Sequence, residues 1–318
     1  LSFTCVAISK PKATKLSLFE GNKLVDSITE DVGNKAVALN GSNDSLIRGL
    51  EQGMKKIRNK HCLQAKDVSA LLLSGMITSN SGVKDIPHID NGTLLTDYPI
   101  VKEDHFKIDN CEVYYVPGMK IDNKLLKERD ILRGEECSII GYIKSKKEKY
   151  SEYLFIHYGQ HHKAMIVKGD QIVLCKTSIT GELANFILND SILEKSVGNT
   201  EEIKLDMEWM LEGFNQTFKE GIGRTLFSTR ILDVLDKKSQ TINTSFCLGA
   251  LSAIDYQFIE PLIKEFDGKV VLYGRPLFAR ILQRILAMYY PKLELEVISE
   301  AQTELMNALG AITIYNSK

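Results

Sequence analysis

Two neighbouring carboxylates, Glu135 and Glu136, follow the pair Arg133-Gly134. A glycine there lets a backbone turn bring a substrate close, an arginine can pair with a carboxylate, and an acid so placed can orient or deprotonate a hydroxyl. The same acids, with Ile139 and Ile140, also read as an ordinary first helical turn, where the dipole favours negative charge. A second cluster, Gly159-Gln160-His161-His162-Lys163, joins backbone amides beside a glycine to His161 and Lys163 as cations, a grip for phosphate groups. Asn80, Lys84 and Asp85 lie in a Gly/Ser-rich loop after a buried strand, where hydrogen-bonding groups can face a small polar ligand. Thr180-Gly181-Glu182, ahead of Leu183, reads as a helix start with Thr180 as its cap and first-turn amides that suit an anion. His157, His161 and His162 have no cysteine or carboxylate partner at metal-ligand spacing, so no metal site is assigned to them.

The elements that must position these residues repeat along the chain. Cys5–Ile8, a loop over Ser9–Ala13, Leu16–Phe19, a turn at Gly21-Asn22 and Lys23–Val25 form one strand-loop-strand-turn-strand series. Leu154–Ile156, a loop over His157–Lys163, Ala164–Val167, a turn at Gly169-Asp170 and Gln171–Leu174 form another. Turn glycine to turn glycine is 169 − 21 = 148 residues, and Pro11 stands the same distance from Gly159, so the two loops correspond in an internal duplication. Between the copies, Leu46, Ile47, Leu50, Met54 and Ile57 mark an amphipathic helix and Ala70–Leu73 a short strand. Beyond the second copy the chain reads as helical around Leu205–Leu235 and Thr244–Lys264, then as a strand over Lys269–Tyr273. Gly274 ends that strand, and Pro276 opens a helix with Leu277, Ile281, Leu282, Ile285 and Leu286 as its apolar stripe. Such a strand-glycine-helix turn lets a nucleotide approach the backbone, or serves as a plain junction. The glycines of Gly221-Ile222-Gly223 follow no strand, which excludes a dinucleotide fingerprint.

Composition narrows the classes. A chain of 318 residues, 44% of them hydrophobic, can bury a large core and divides into two domains of ordinary size. A formal net charge of −1 leaves no basic field for a nucleic-acid backbone. The six cysteines lack CxxC or Cys/His spacing and read as reduced core residues. No apolar run reaches the length of a membrane span and no signal-peptide pattern opens the chain, so a cytoplasmic location is expected.

Several segments together carry a resemblance that runs over almost the whole chain. They are Ser74–Gly82 with Lys84-Asp85-Ile86-Pro87, Val116-Pro117-Gly118-Met119, Asp130–Cys137, Gly159–Lys163, Thr180–Leu183, Leu226–Arg230 and Val271–Pro276. In these the chain resembles the 2-dehydro-3-deoxygalactonokinase family of the acetate and sugar kinase, Hsp70 and actin superfamily. The resemblance implies an α/β fold of two actin-like (ribonuclease H-like) domains related by duplication, with an interdomain cleft. Residues 1–148 would carry the sugar-acid site and residues 149–318 the nucleotide site. It implies ATP-dependent phosphorylation of 2-dehydro-3-deoxygalactonate at its 6-hydroxyl, with ATP and Mg²⁺ as cofactors. Glu135 and Glu136 would be catalytic. Asn80, Lys84, Asp85, Arg133, Thr180 and Glu182 would bind the sugar acid, and Gly159, Gln160, His161, Lys163 and Gly274 the nucleotide. The expected partners are a small-molecule sugar acid and a nucleotide, with neither nucleic acid nor membrane, and a homodimer left open.

The chain departs from the family at the first loop. Where an Asp-x-Gly-Thr pattern and an arginine on the next strand are usual, Ser9, Pro11, Lys12 and Leu16 stand. Proline can neither donate an amide nor take a positive φ, and a lysine cannot replace an aspartate toward magnesium. At the second loop Gln160 replaces a hydroxyl residue and His162 a small one. An alternative reading is therefore a catalytically impaired relative that binds a sugar acid or nucleotide as a sensor.

Overall fold

The computed structural model describes residues 2–198 and 204–318. In chain order the first half runs β1 (Phe3–Ser9), β2 (Thr14–Glu20), β3 (Lys23–Glu30), α1 (Asn34–Asn40), α2 (Asp44–Lys60), β4 (Val68–Ser74), β5 (Ile89–Asp90), β6 (Val101–Lys102), β7 (Val113–Tyr115), β8 (Met119–Ile121), β9 (Asp130–Leu132) and α3 (Glu135–Ser145). The second runs β10 (Glu152–Tyr158), β11 (His162–Lys168), β12 (Gln171–Ser178), α4 (Thr180–Asn189), α5 (Met207–Glu220), α6 (Ile222–Val234), α7 (Gln240–Ile263), β13 (Lys269–Gly274), α8 (Pro276–Tyr289), β14 (Leu295–Val297) and α9 (Glu300–Asn316).

The duplication is visible in the sheets. One has the order β3-β2-β1-β4-β7-β6 and the other β12-β11-β10-β13-β14, so five strands of the first match all five of the second. In both, the strand that opens the repeat lies parallel to the strand that returns after the helical segment, β1 to β4 and β10 to β13. A further parallel strand follows on the far side, β7 beside β4 and β14 beside β13. Strands β2 and β3 begin and end 148 residues before β11 and β12, and the turn glycines Gly21 and Gly169 share φ +57°. Gly75 after β4 (φ +79°) and Gly274 at the end of β13 (φ +98°) also correspond, each ending its strand in a conformation that a side chain disfavours.

Each half has its own core. In the first, Leu46, Leu50, Met54 and Ile57 of α2 pack on Cys5, Ala7, Leu16 and Leu18, as the helical spacing predicts. In the second, α7, α8 and the strands around β10 enclose Leu154, Ile156, Leu248, Leu251, Leu272 and Ile285. The compact units are residues through Lys149 with Lys168–Cys175 and Ala301–Lys318 (unit 1), and Tyr150–Val167 with Lys176–Glu300 (unit 2). Helix α9 thus belongs with α3 in unit 1. A Cβ on Gly141 would stand 1.9 Å from Met306 O, and one on Gly310 1.8 Å from Cys137 O, so the two helices cross through their glycines. Periodicity within α9 carries no sign of which sheet it joins.

Two sequence expectations change. Helix α7 is long and apolar enough to cross a membrane by length and composition, against the expectation that no stretch would be. Its residues from Asn243 to Ala253 are all buried, as suits a core helix of unit 2. Five cysteines are buried and in no disulfide, but Cys62 is exposed, because it lies just past the end of α2 with φ +52° rather than in a strand.

Candidate functional site

The candidate residues fall into two groups, one in each unit. In unit 1, β9 delivers Arg133 and Gly134 to the start of α3. Gly134, at φ +110°, leaves room for Gly75, whose Cα would lie 3.0 Å from a Cβ there. Glu135 and Glu136 are therefore the first two residues of α3, and a helix turns adjacent side chains to different directions. Glu135 is half-buried and accepts the Arg133 N–H at 2.9 Å. Glu136 is fully buried; its Oε1 accepts the Gly134 N–H at 2.7 Å, while Oε2 is buried without a hydrogen-bond partner. Burial first, and the Glu135 charge second, push the Glu136 carboxyl up to about 8, so it carries its proton at neutral pH. Asn307 of α9 supports this turn by donating to Gly134 O at 2.6 Å.

Arg133 is spent on the loop that follows β4. Its guanidinium donates to Thr78 O (2.5 Å), Thr78 Oγ1 (2.9 Å) and Ile86 O (2.9 Å), with the His88 ring at 3.2 Å. Burial lowers its pKa, offset in part by the charges of Glu136 and Asp85. Lys84 is held similarly: its ammonium lies 2.9 Å from Glu103 Oε2, which also accepts the Tyr115 hydroxyl at 2.9 Å. Arg133 thus fixes the Thr78–His88 loop near both ends and Lys84 ties its middle to Glu103, leaving Asn80 and Asp85 exposed on it.

In unit 2 the structure gathers Gly159, Gln160, His161, Gly274, Thr180 and Glu182 around one loop. Gly274 needs its missing side chain for Tyr158, whose carbonyl would lie 2.4 Å from a Cβ, and the Arg275 N–H donates to the same carbonyl at 2.7 Å. Of the two readings of this turn, the close packing supports the structural junction. Gly181 presses on the loop in the same way, with Gln160 O 2.3 Å and Gly159 O 2.8 Å from a Cβ. Glu182 Oε1 accepts from Gln160 Nε2 at 2.6 Å and lies 3.2 Å from His161 Nε2. These two side chains already hold an anionic oxygen, which is the chemistry a phosphate needs. Lys163 is 7% exposed, and its ammonium donates to Thr177 Oγ1 at 3.0 Å. Thr180 does not cap α4: Ile179 is the N-cap, and the Thr180 hydroxyl lies 2.5 Å from Ser178 Oγ. Thr180 and Glu182, expected with the sugar acid, thus stand beside the loop expected to hold nucleotide.

The first loop is occupied by the protein itself. The Lys10 and Pro11 carbonyls accept from Asn34 N (3.3 Å) and Lys35 N (3.0 Å), and a Cβ on Gly33 would meet Lys10 O at 2.0 Å. Lys10 and Lys15 both pair with Glu304 of α9, at 3.1 and 2.5 Å. Ser9 is buried and accepts the Thr14 hydroxyl at 3.1 Å. Among the described residues no three His, Cys, Asp or Glu side chains converge as metal ligands, whereas Mg²⁺ in phosphoryl-transfer sites is held by one or two carboxylates and the substrate's phosphates.

Sequence reasoning missed the partners that immobilise Arg133, Lys84 and Lys10, because Thr78, Glu103 and Glu304 are distant in sequence or unremarkable in type. The separation of Glu135 from Glu136 was open to it, since neighbours on a helix diverge. A buried His162–Asp255 pair was also missed; an acid inside the apolar run of α7 was its one signal.

Two α/β halves of the chain, each headed by a strand-loop-strand and built on matching sheets, define the two-domain actin-like fold used by sugar kinases. A family model described as 2-keto-3-deoxy-galactonokinase matches residues 15–308, and the chain belongs to that family, which makes it a kinase. The chain is 21% identical over 228 residues to the 2-dehydro-3-deoxygalactonokinase of Escherichia coli (strain K12), covering 70% of this chain and 72% of that one. It is similar in structure to a candidate 2-dehydro-3-deoxygalactonokinase protein from Sinorhizobium meliloti, with TM-score 0.76 and 16% identity over 98% of this chain and 97% of the other. It is also similar to component A of the (R)-2-hydroxyglutaryl-CoA dehydratase of Acidaminococcus fermentans, with TM-score 0.52 and 13% identity over 100% and 99% of the two chains. At these identities the structural likenesses show the fold.

Proposed function

We propose that the protein transfers the γ-phosphoryl group of ATP to the 6-hydroxyl of 2-dehydro-3-deoxygalactonate, giving ADP and the 6-phosphate within galactonate catabolism in the cytoplasm. The observation that carries this reading is the family match over residues 15–308. Unit 1 takes the sugar acid and unit 2 the nucleotide. Glu135 is the acid suited to be the base, because it is half-buried while Glu136 is sealed and protonated. The hydroxyl proton passes to Glu135 as the new O–P bond forms, and the bond from the γ-phosphorus to the bridging oxygen breaks, its electrons leaving with ADP. Arg133 and Lys84 act by holding the loop that presents Asn80 and Asp85 to the sugar acid. Gln160 and His161 exchange Glu182 for phosphate oxygens, with Lys163 behind them. Mg²⁺ brought with ATP would offset the negative charge of the phosphates beside Gln160, His161 and Lys163.

The test is ADP release from purified protein given Mg-ATP and 2-dehydro-3-deoxygalactonate. Glu135→Gln is expected to lower kcat by about 10²-fold or more. Wild-type protein that binds the sugar acid yet releases no ADP beyond background ATPase would sink the proposal.

A further inference from the structure

Asp255 lies on the buried face of α7 with Leu248, Leu251, Ser252 and Ile259, and is 1% exposed. A lone carboxylate there is costly, and its partner is His162, the first residue of β11, whose Nδ1 stands 2.5 Å from Asp255 Oδ2. His162 is also 1% exposed. Its ring meets Tyr158 edge-on at 4.8 Å and Phe278 of α8 at 4.9 Å, while Tyr158 stacks on Phe278 at 6.0 Å. Tyr158 and His162 are the two residues that bracket the loop Gly159–His161. Burial first and the Asp255 charge second push the Tyr158 phenol well above its ordinary value.

The pair is not arranged for greatest stability. His162 Nε2 and Asp255 Oδ1 are both buried without hydrogen-bond partners. A buried polar pair left partly unsatisfied is often matched or exceeded in stability by apolar residues of similar volume. What the pair supplies instead is a directional tie from the end of the loop to the middle of a core helix.

We infer that His162 and Asp255 are positioning residues for the nucleotide loop: their contact fixes the His162 end of Gly159–His161, as the ring cluster fixes the Tyr158 end, and so holds the loop in the shape that receives phosphate. This rests on the assignment of nucleotide to that loop. Neither residue touches the phosphates, so the effect should appear in nucleotide affinity and not in handling of the sugar acid.

The experiment compares wild-type protein with the double variant His162→Leu/Asp255→Leu by calorimetric Mg-ATP titration, thermal melting and steady-state kinetics. The double variant should melt within a few degrees of wild type, raise KM for Mg-ATP about tenfold (about 1.4 kcal/mol), and leave kcat and the sugar-acid KM within about twofold. Asp255→Asn, which keeps an acceptor for Nδ1–H, should stay within about twofold of wild type throughout. A folded double variant with wild-type affinity for Mg-ATP overturns the positioning role. If that variant does not fold, the smaller amide pair His162→Gln/Asp255→Asn decides: a raised KM for Mg-ATP alone sustains the role, and no rise, or equal rises for both substrates, overturns it. Wild-type protein that binds no Mg-ATP overturns the nucleotide assignment itself, a result distinct from any change confined to the variants.

Discussion

The two strand-loop-strand heads share their strands and turns but use their loops in opposite ways. Between β1 and β2, the carbonyls of Lys10 and Pro11 take the amides that open α1, and Lys10 is tied with Lys15 to Glu304. Between β10 and β11, the loop meets the start of α4 by close packing against Gly181. The first amides of α4 find the Ser178 hydroxyl and the Ile179 carbonyl instead, while Gln160 and His161 hold the carboxylate of Glu182. The first copy has become scaffold, and the second keeps an anion-holding surface. One backbone plan thus supports either use, and the decision lies in a few side chains and in which groups cap the next helix.

The sharpest way to break this contrast is to press on each loop from the matching glycine. Gly181→Ala would place a Cβ 2.3 Å from Gln160 O and displace the second loop, so kcat/KM for Mg-ATP is expected to fall about 10²-fold in an ADP-release assay. Gly33→Ala meets Lys10 O at 2.0 Å, and is expected to cost about 1–3 kcal/mol in denaturant unfolding while KM for Mg-ATP stays unchanged. If Gly33→Ala were the variant that lost nucleotide affinity, the contrast would be reversed.

Lysines give the next comparison. Lys163→Met should lower kcat/KM for Mg-ATP about tenfold, whereas Lys10→Met should alter it less than about twofold and only weaken an exposed ion pair.

A pH series extends the contrast to the buried acid of unit 1. The Glu136 carboxyl is raised from 4.5 to about 8 on folding, so the folded state holds its proton the more tightly. Its contribution to stability is complete below pH 4.5, falls as pH rises toward about 8, and is level above that. Glu136→Gln keeps an acceptor for the Gly134 N–H and should flatten that decline, melting above wild type at pH about 8 with no gain at pH about 4. An unchanged pH slope in the variant would show that Glu136 is ionised and solvated.

The smallest effect is expected at Glu182. Glu182→Gln removes a negative charge from the donors that phosphate must win, and should lower KM for Mg-ATP about two- to threefold, more at low salt than at high. A raised KM would make Glu182 a supporter of the nucleotide rather than its competitor.

Much of the architecture was legible because it is written in local patterns. The two turn glycines and the alternating strands gave an offset that β2, β3, β11 and β12 keep, and the Leu46–Ile57 stripe gave the buried face of α2. The break between α5 and α6 at Gly221, where φ is +80°, was not legible, since Leu205–Leu235 read as helical throughout. The site was less legible, because the roles of Arg133, Lys84 and Lys10 depend on partners at Ile86, Glu103 and Glu304 that no local spacing announces. A charged residue in a loop was read as facing a ligand, whereas here its first duty is to hold the loop. The return of α9 to unit 1 was hidden for the same reason, since it depends on a contact far along the chain.

That return has a consequence for synthesis. The seat that Gly141 offers to Met306 and Gly310 stays empty until 310 − 141 = 169 more residues have been added, roughly 10 to 30 seconds at ordinary rates of synthesis. Throughout that interval the Gly141 face of α3 lacks its α9 partner, whereas the α5–α7 crossing of unit 2 joins Gly213 to Gly249 only 249 − 213 = 36 residues later, so the unit made second is the first to have this kind of crossing complete.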